Sequence, residues 1–245
     1  MVNNSGILAI AANNSPGAIS GTGTLYVSAS ATTPAVNQGS VIIQSGGTLK
    51  IQGPSAAVGQ TSSLSIASTG KLDLTNNSFT VNYTAGKTPA ATIRYLSTAF
   101  DGGKWDGYGI TSSLADAMHW VGYADSADGV VAGLAANSIE MKLARPGDAN
   151  LDGKVDFADL VILAQNYGKT GMNWDQGDFN YDGTVNFADL VILAQNYGQS
   201  FVPAAAPAVS AVPEPSGWVA GLAAAMLGLC RQRKSGHVRE PHPSS

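Results

Sequence analysis

From residue 1 to about residue 88, apolar positions recur as short apolar-x-apolar triplets in a background of Gly, Ser, Thr, Asn and Ala. They are Leu8-Ala9-Ile10, Leu25-Tyr26-Val27, Val41-Ile42-Ile43, Leu49-Lys50-Ile51, Leu64-Ser65-Ile66, Leu72-Asp73-Leu74 and Val81-Asn82-Tyr83. A period of two places alternate side chains on one face, so each triplet predicts a strand half-buried against a core. Their starts lie 17, 16, 8, 15, 8 and 9 residues apart, close to multiples of eight. A strand-plus-turn unit repeated in this way predicts stacked rungs that share a core; a β-sandwich of the same strands is the alternative. Ser138-Ile139-Glu140-Met141-Lys142-Leu143 alternates as a last strand. Farther on the period changes: Phe157-Ala158-Asp159-Leu160-Val161-Ile162-Leu163-Ala164 and its copy from Phe187 read as helices apolar nearly all round. A helix packed on one side needs only a stripe, so one face can bury against its twin and apolar surface is left over for a partner.

Those helices belong to a 22-residue unit written twice, GDANLDGKVDFADLVILAQNYG at 147–168 and GDFNYDGTVNFADLVILAQNYG at 177–198. With Asp148 as position 1, oxygen side chains fall at positions 1, 3, 5, 9 and 12: Asp148, Asn150, Asp152, Asp156 and Asp159, then Asp178, Asn180, Asp182, Asn186 and Asp189. This is the donor pattern of a calcium loop, completed by the carbonyl at position 7, here Lys154 and Thr184, with Gly153 and Gly183 at the sharp turn. The copies differ only at Ala149/Phe179, Leu151/Tyr181, Lys154/Thr184 and Asp156/Asn186, positions that point away from the ion, ligate through backbone or act through water. Two ions are expected. Pro146 and Gly147 break any helix before the first loop, and the stretch from Thr170 to Gly177 is too short for one before the second, so each unit is loop then helix.

The duplicated loop-helix without an incoming helix, and with Asp rather than Glu at position 12, resembles a type I dockerin over residues 147–200. The resemblance implies calcium-dependent docking onto a cohesin-like domain. Cellulosomal members often carry a Ser-Thr pair at positions 10 and 11, where this chain has Phe157-Ala158 and Phe187-Ala188. The apolar helix surface around them, with Val161, Ile162, Val191 and Ile192, is the candidate partner surface. The repeats of residues 1–88 resemble the rungs of right-handed parallel β-helices in bacterial surface and autotransporter-associated proteins. At the other end, Pro213-Glu214-Pro215, an apolar run over 217–230 and the basic Arg231, Arg233 and Lys234 resemble a PEP-CTERM sorting signal. That likeness implies an exosortase-type processing enzyme and membrane retention through a C-terminal apolar helix. Fourteen residues span about 21 Å as a helix, short of a roughly 30 Å hydrocarbon core. Residues 235–245 continue past the basic cluster where such a signal normally stops.

The expected organisation is multidomain: an all-β solenoid (1–88), an aromatic-rich β segment completing it (89–145), a small all-α calcium-binding pair (146–200), an Ala/Pro linker (201–212), the sorting signal (213–234) and a tail (235–245). The start lacks a basic leader and a solenoid cap, so residues 1–245 read as the C-terminal piece of a longer secreted protein or as a chain with a mis-called start, with non-classical export as the alternative. Charged residues make up only 12% of the chain and the formal net charge is −4, leaving no basic footprint for nucleic acid. Seven of the 17 acids are calcium ligands, and a single cysteine, Cys230, rules out an intramolecular disulfide. Calcium then serves as the staple, which suits a secreted or cell-surface setting. Residues 1–88 hold one acid, Asp73, and no histidine, so no paired-carboxylate site can be built there. Residues 89–145 contain the only catalytic candidates, Asp106 with Asp125 as an acid/base pair and Trp105 with Trp120 as a sugar-stacking platform; aromatics so clustered are more often core. The reading is a non-enzymatic docking and anchoring protein that could contact cell-surface polysaccharide; the alternative is a component of a polysaccharide-degrading system. Because affinity follows ligand charge, the first loop, with four Asp, is expected to hold calcium more tightly than the second, with three. Calorimetry should resolve a tighter and a weaker site, and a charge-reducing Asp156→Asn change should bring them together.

Overall fold

A computed structural model of the chain describes residues 1–53, 58–86 and 90–201. Among the described residues twelve short strands precede the first helix. A first sheet holds β1 (Val2–Asn3), β3 (Ile19–Ser20), β6 (Val36–Gln38), β9 (Val58–Thr61) and β12 (Ser78–Asn82) side by side. A second holds β2 (Ile7–Ile10), β4 (Thr24–Val27), β7 (Ser40–Ile43) and β10 (Leu64–Ile66), and a third β5 (Ser30–Thr33), β8 (Thr48–Ile51), β11 (Lys71–Asp73) and β13 (Gly109–Thr111). From β3 to β11 the chain visits the first, second and third sheet in the same order on three successive circuits, the opening circuit meeting the third sheet only through a bridge of Asn14 to Ala31, and all these pairings are parallel. Parallel neighbours exclude the two-sheet sandwich alternative, which is built from antiparallel hairpins.

All seven apolar triplets lie on or overlap these strands, and their alternation is the burial pattern: Leu25 and Val27 point inward on β4, Val41 and Ile43 on β7, Leu49 and Ile51 on β8. Register stacks like on like, Leu25 on Val41 and then Leu64, and Ala31 on Leu49, Leu72 and Ile110. The sixteen- and seventeen-residue spacings are whole circuits, as from Leu8 to Leu25 to Val41 within the second sheet, and the eight-residue spacing is the step from second to third sheet, as from Val41 to Leu49.

Two strands of the first sheet, β6 and β9, end on an inward polar residue, Gln38 and Thr61, and have no triplet, and Thr33 at the end of β5 in the third sheet is buried as well. Gln38 is buried and accepts from Asn4 Nδ2 at 2.7 Å, while the Thr33 and Thr61 hydroxyls donate to the carbonyls of Ala35 at 3.1 Å and Ser63 at 2.8 Å. These three buried side chains are satisfied at corners of the coil, which offsets the penalty of burying them.

The segment expected to be wholly β, 89–145, contains a helix, α1 (Ala90–Phe100). It occupies the place of the second-sheet strand in the last circuit, and the Tyr95 hydroxyl accepts the edge N–H of Ile66 at 3.1 Å. A helix satisfies its own backbone bonds and so ends a sheet that a further strand would extend. The first sheet continues instead through an antiparallel pair, β15 (Ser138–Ala144) on β12 and β14 (Trp120–Asp125) on β15. Two helices follow, α2 (Phe157–Asn166) and α3 (Phe187–Asn196), with a 3-10 turn at Trp174–Gln176 between them. Among the described residues no helix is long and apolar enough to cross a membrane. The linker beyond Phe201, the sorting signal and the tail lie outside the described residues.

Leu49→Ala, which empties the stack between Ala31 and Leu72, should destabilise the protein by about 2–5 kcal/mol. Ser65→Ala on the exposed side of β10 should change stability by less than about 0.5 kcal/mol. Urea denaturation midpoints at constant slope measure both.

Candidate functional site

Each loop wraps its backbone around its own carboxylates. Asp148 accepts the N–H of Asp152 on Oδ1 at 3.1 Å and that of Gly153 on Oδ2 at 3.0 Å; Asp178 accepts those of Asp182 and Gly183 at 3.2 and 2.9 Å. Gly153 and Gly183 adopt φ of +90° and +80°, a region open to glycine at no steric cost. Asp159 Oδ1 accepts the N–H groups of Ala149 and Asn150 at 2.9 and 3.2 Å, and its Oδ2 takes that of Asp156 at 2.8 Å; Asp189 repeats the three bonds with Phe179, Asn180 and Asn186 at 2.9, 3.2 and 2.9 Å. Asn150 and Asn180 donate to Oδ2 of Asp152 and Asp182. Positions 9 and 12 thus have a second role. Asp156 and Asn186 are the N-caps of α2 and α3, and Asp159 and Asp189 close the capping boxes, so the start of each helix is tied to its loop. At position 7 the N–H groups of Lys154 and Thr184 donate to Asp152 and Asp182, and their side chains play no part in gathering the donors.

The two copies embrace. Gly198 N–H donates to the Val155 carbonyl and Gly168 N–H to that of Val185, both at 2.8 Å, so the chain leaving each helix pairs with the other unit's loop. Gly147 and Gly177 sit so close to the partner helix that a Cβ there would come within 2.9 Å of Leu193 Cα and 3.0 Å of Leu163 Cα. That contact brings together the helices that bury Leu163 and Leu193.

Electrostatics tests whether these residues suit a cation. Asp148, Asp159, Asp178 and Asp189 are buried, and none of the ion pairs among the described residues involves a loop carboxylate. Burial, then the neighbouring Asp159 and Asp152, push Asp148 up to about 7; burial, then Asp189 and Asp182, push Asp178 up to about 7. Asp159 and Asp189 rise for the same leading reason, loss of hydration, against the hydrogen bonds that lower them. Dehydrated oxygen donors outside any of these ion pairs, with the Lys142 ammonium acting only weakly on Asp148, fit a hard divalent ion. Among the described residues no three His, Cys, Asp or Glu side chains complete a metal cluster unaided. Asparagine, carbonyl and water oxygens must therefore supply the rest of the shell, as calcium permits.

Positions 2 and 4 do more than point away from the ion. Ala149 and Phe179 are fully buried, and Leu151 and Tyr181 take left-handed φ of 55° and 61°. For residues with a Cβ that conformation costs about 1–2 kcal/mol, so surrounding contacts must hold it. They are contacts with the β body. The Tyr181 ring lies 5.2 Å from Phe100, 5.7 Å from Trp105, 5.9 Å from Tyr123 and 5.8 Å from Trp174, and its hydroxyl donates to the Val121 carbonyl. Trp174 is fully buried, donates from Nε1 to the Asp148 carbonyl at 2.8 Å and lies where a side chain at Gly122 would reach 2.8 Å from its ring. On the first loop, Lys142 Nζ donates to the Leu151 carbonyl at 2.8 Å. The sequence signal for this seam was present in the copies' differences: Ala149/Phe179 and Leu151/Tyr181 exchange small for large apolar groups where ligation imposes nothing.

The seam also accounts for the catalytic candidates of 89–145. Trp105 is buried edge-on to Phe100 and Tyr181, and half-buried Trp120 packs edge-on to Phe100. Asp125 is buried and bonded to the Tyr83 hydroxyl and Ala127 N–H, whereas Asp106 is exposed with its carbonyl accepting Lys71 Nζ. His119 is held by Asp116 at 2.8 Å and lies against Phe201. The partner-surface candidates are open. Phe157 and Phe187 are each 67% exposed, Ala158 and Ala188 are exposed, and Val161, Ile162, Val191 and Ile192 are half-buried, identically in both helices.

Residues 146–197 match the dockerin type I domain family. Domains of this class bind calcium and dock onto cohesin domains. Comparisons with curated proteins and with solved structures found no match.

Asp148 and Asp178 have folded-state values raised to about 7 from the usual 3.8. Without metal, the folded state therefore keeps protons that the unfolded chain releases, and stability falls as pH rises from about 4 to 7. With calcium the carboxylates are held ionised and the sign reverses, stability being lost on acidification. Thermal unfolding in EDTA should give a lower midpoint at pH 7.5 than at pH 4.5, and in millimolar calcium the opposite order.

Proposed function

We propose that this chain is a calcium-dependent docking protein of the bacterial cell exterior, in which a β-solenoid presents a dockerin-type module to a cohesin-like partner. Two calcium ions fill the loops through Asp148, Asn150, Asp152 and Asp159 and through Asp178, Asn180, Asp182 and Asp189, with Lys154 and Thr184 contributing carbonyls and Asp156 and Asn186 acting through water. The ions' chemistry is structural: they neutralise the gathered carboxylates. The chain's own residues then set the helix starts and orient the partner surface. One observation carries the reading. The loop positions left over from ligation are consumed by the β body, while Phe157, Ala158, Val161 and Ile162 and their counterparts Phe187, Ala188, Val191 and Ile192 stay accessible in both copies. Exposed aromatic residues on an apolar patch are the kind that dominate binding energy when buried by a partner. Phe-Ala in place of Ser-Thr at positions 10 and 11 makes the surface more apolar than that of cellulosomal modules, so the partner should present an apolar rather than a hydroxyl-matching face. The fixed traverse of three parallel sheets supports the solenoid reading. Export and attachment through Pro213, Glu214, Pro215 and the basic Arg231, Arg233 and Lys234 complete the proposal.

The test is binding of the full chain to a panel of cohesin domains in calcium and in EDTA. Binding is expected in calcium alone, and joint Phe157→Asp and Phe187→Asp changes should weaken it at least about tenfold with helical circular dichroism unchanged. Absence of calcium-dependent binding to every cohesin, with the chain folded, would sink the reading.

A further inference from the structure

We propose that the cavity beside α1 binds a uronic acid unit of an acidic saccharide, its carboxylate on Arg94 and its ring against Tyr108. The cavity has a volume of about 310 Å³, and its lining includes Ser68, Arg94, Tyr95, Thr98 and Tyr108. That volume is at the lower end of the range for small-ligand sites, which suits a single sugar unit. The cavity exists because the last circuit replaces a strand with α1, and the chain entering β13 is laid tightly along that helix. A Cβ at Gly107 would fall 2.3 Å from the Thr98 carbonyl oxygen, and one at Gly109 would fall 2.2 Å from that of Tyr95. Tyr108 lies between these two close approaches, so its backbone is held on both sides while the residue stays 47% exposed. Tyr95 is fixed as well: its hydroxyl accepts Ile66 N–H at 3.1 Å, and the hydroxyl proton is left to donate.

Charge selects the ligand. Arg94 is exposed, and the ion pairs among the described residues include neither it nor Lys71. Lys71 pairs with Gly109 across β11 and β13, which brings its Nζ to 5.2 Å from the centre of the Tyr108 ring, and it donates to the Asp106 carbonyl at 2.8 Å. None of the described residues lining the cavity is acidic, and the Asp106 carboxylate joins none of those ion pairs. Two cations at a cavity without an acid, in a chain of net charge −4, favour an anionic ligand. A guanidinium matches a carboxylate through two parallel hydrogen bonds, whereas Lys71 acts as a point charge. One of each suits a single small anion, not the repeated charges of a nucleic acid, for which the chain has no basic footprint. The rest of the lining decides what carries the carboxylate. Hydroxyls of Ser68, Tyr95 and Tyr108 offer donors and acceptors to the hydroxyl groups of a sugar, and the exposed part of the Tyr108 ring offers apolar carbon to its C–H face. A peptide C-terminus would bring one amide and a side chain to the same place and leave most of these hydroxyls without a partner. The site uses no residue of the docking module, so it stands or falls independently of the docking reading.

Calorimetry on the full chain in calcium, with glucuronate- and galacturonate-containing trisaccharides and their methyl esters as probes, tests the site. One or both acids are expected to bind, and the matching ester, which keeps the ring hydroxyls but loses the charge, at least about tenfold more weakly. Arg94→Ala should bring the acid down to the level of its ester, and Arg94→Lys should recover part of the loss, because the charge returns without the fork. Tyr108→Ser should also weaken the acid. Arg94 and Tyr108 are exposed, so circular dichroism of these variants should match the wild type. The chain with Phe157→Asp and Phe187→Asp should bind the saccharide as the wild type does. No binding of either acid, equal binding of acid and ester, or an affinity unchanged by Arg94→Ala would overturn the proposal. A tetrapeptide with a free C-terminal carboxylate that outbinds both acids, and loses that affinity in Arg94→Ala, would make the ligand a peptide and overturn it too. Each of these outcomes leaves the calcium-dependent binding of cohesins unaffected.

Discussion

Crowded carboxylates govern this molecule. Each loop draws its first and twelfth aspartates out of water and sets them beside a third, without a lysine or arginine paired to them. Protein dipoles offset part of the cost: backbone N–H groups converge on Asp148, Asp159, Asp178 and Asp189, and those hydrogen bonds determine the path of the loop. The remainder calls for a divalent ion. Because Asp159 and Asp189 also close the capping boxes of α2 and α3, the charge balance of the loops and the start of the helices are one event. The proposed docking surface begins one residue past each N-cap, so its shape follows from the same event.

The β body answers a different constraint. A coil of short strands buries one side of each strand, and at its corners it must also accommodate polar groups. Asn4, Gln38, Thr33 and Thr61 are accommodated by bonding to carbonyls and to one another within the stack. The last circuit substitutes α1 for a strand, ending the second sheet, and the antiparallel pair β14–β15 carries the first sheet on to the module. There the exposed edge of β14 meets polar groups from the module, with the Tyr181 hydroxyl on the Val121 carbonyl and Asp175 on the Asp125 N–H. Covering a sheet edge prevents pairing with other chains. The module is therefore part of the same compact unit as the coils.

This integration changes how the duplicated unit should be understood. Two nearly identical loop-helices could have been interchangeable, yet they meet the β body differently. The second presents Phe179 and Tyr181 to an aromatic cluster of Phe100, Trp105, Tyr123 and Trp174; the first presents the Leu151 carbonyl to Lys142. Their outer faces remain equivalent, down to the exposure of Phe157 and Phe187. Asymmetry is confined to the side that is buried.

Sequence alone determined the features that are local in the chain. Ligand spacing in the loops, the glycine turns, the helices that follow and the strand positions of Leu25, Val41, Leu49 and the other triplets all follow from periodicity or from oxygen donors within twelve residues, which need no distant partner to be recognised. Tertiary structure decided what depends on distant partners. The strands containing Gln38 and Thr61 carry no apolar triplet, because each buries a polar group that the corners satisfy, Gln38 through Asn4, 34 residues away, and Thr61 through the Ser63 carbonyl. The helix Ala90–Phe100 stands where a strand was expected because it ends a sheet whose edge lies on Ile66. Phe100, Trp105, Trp120 and Tyr123 form a seam, because Tyr181, which bonds a carbonyl sixty residues earlier, packs among them. No spacing rule reports such contacts: a side chain's surroundings are set by which distant residue the fold brings against it.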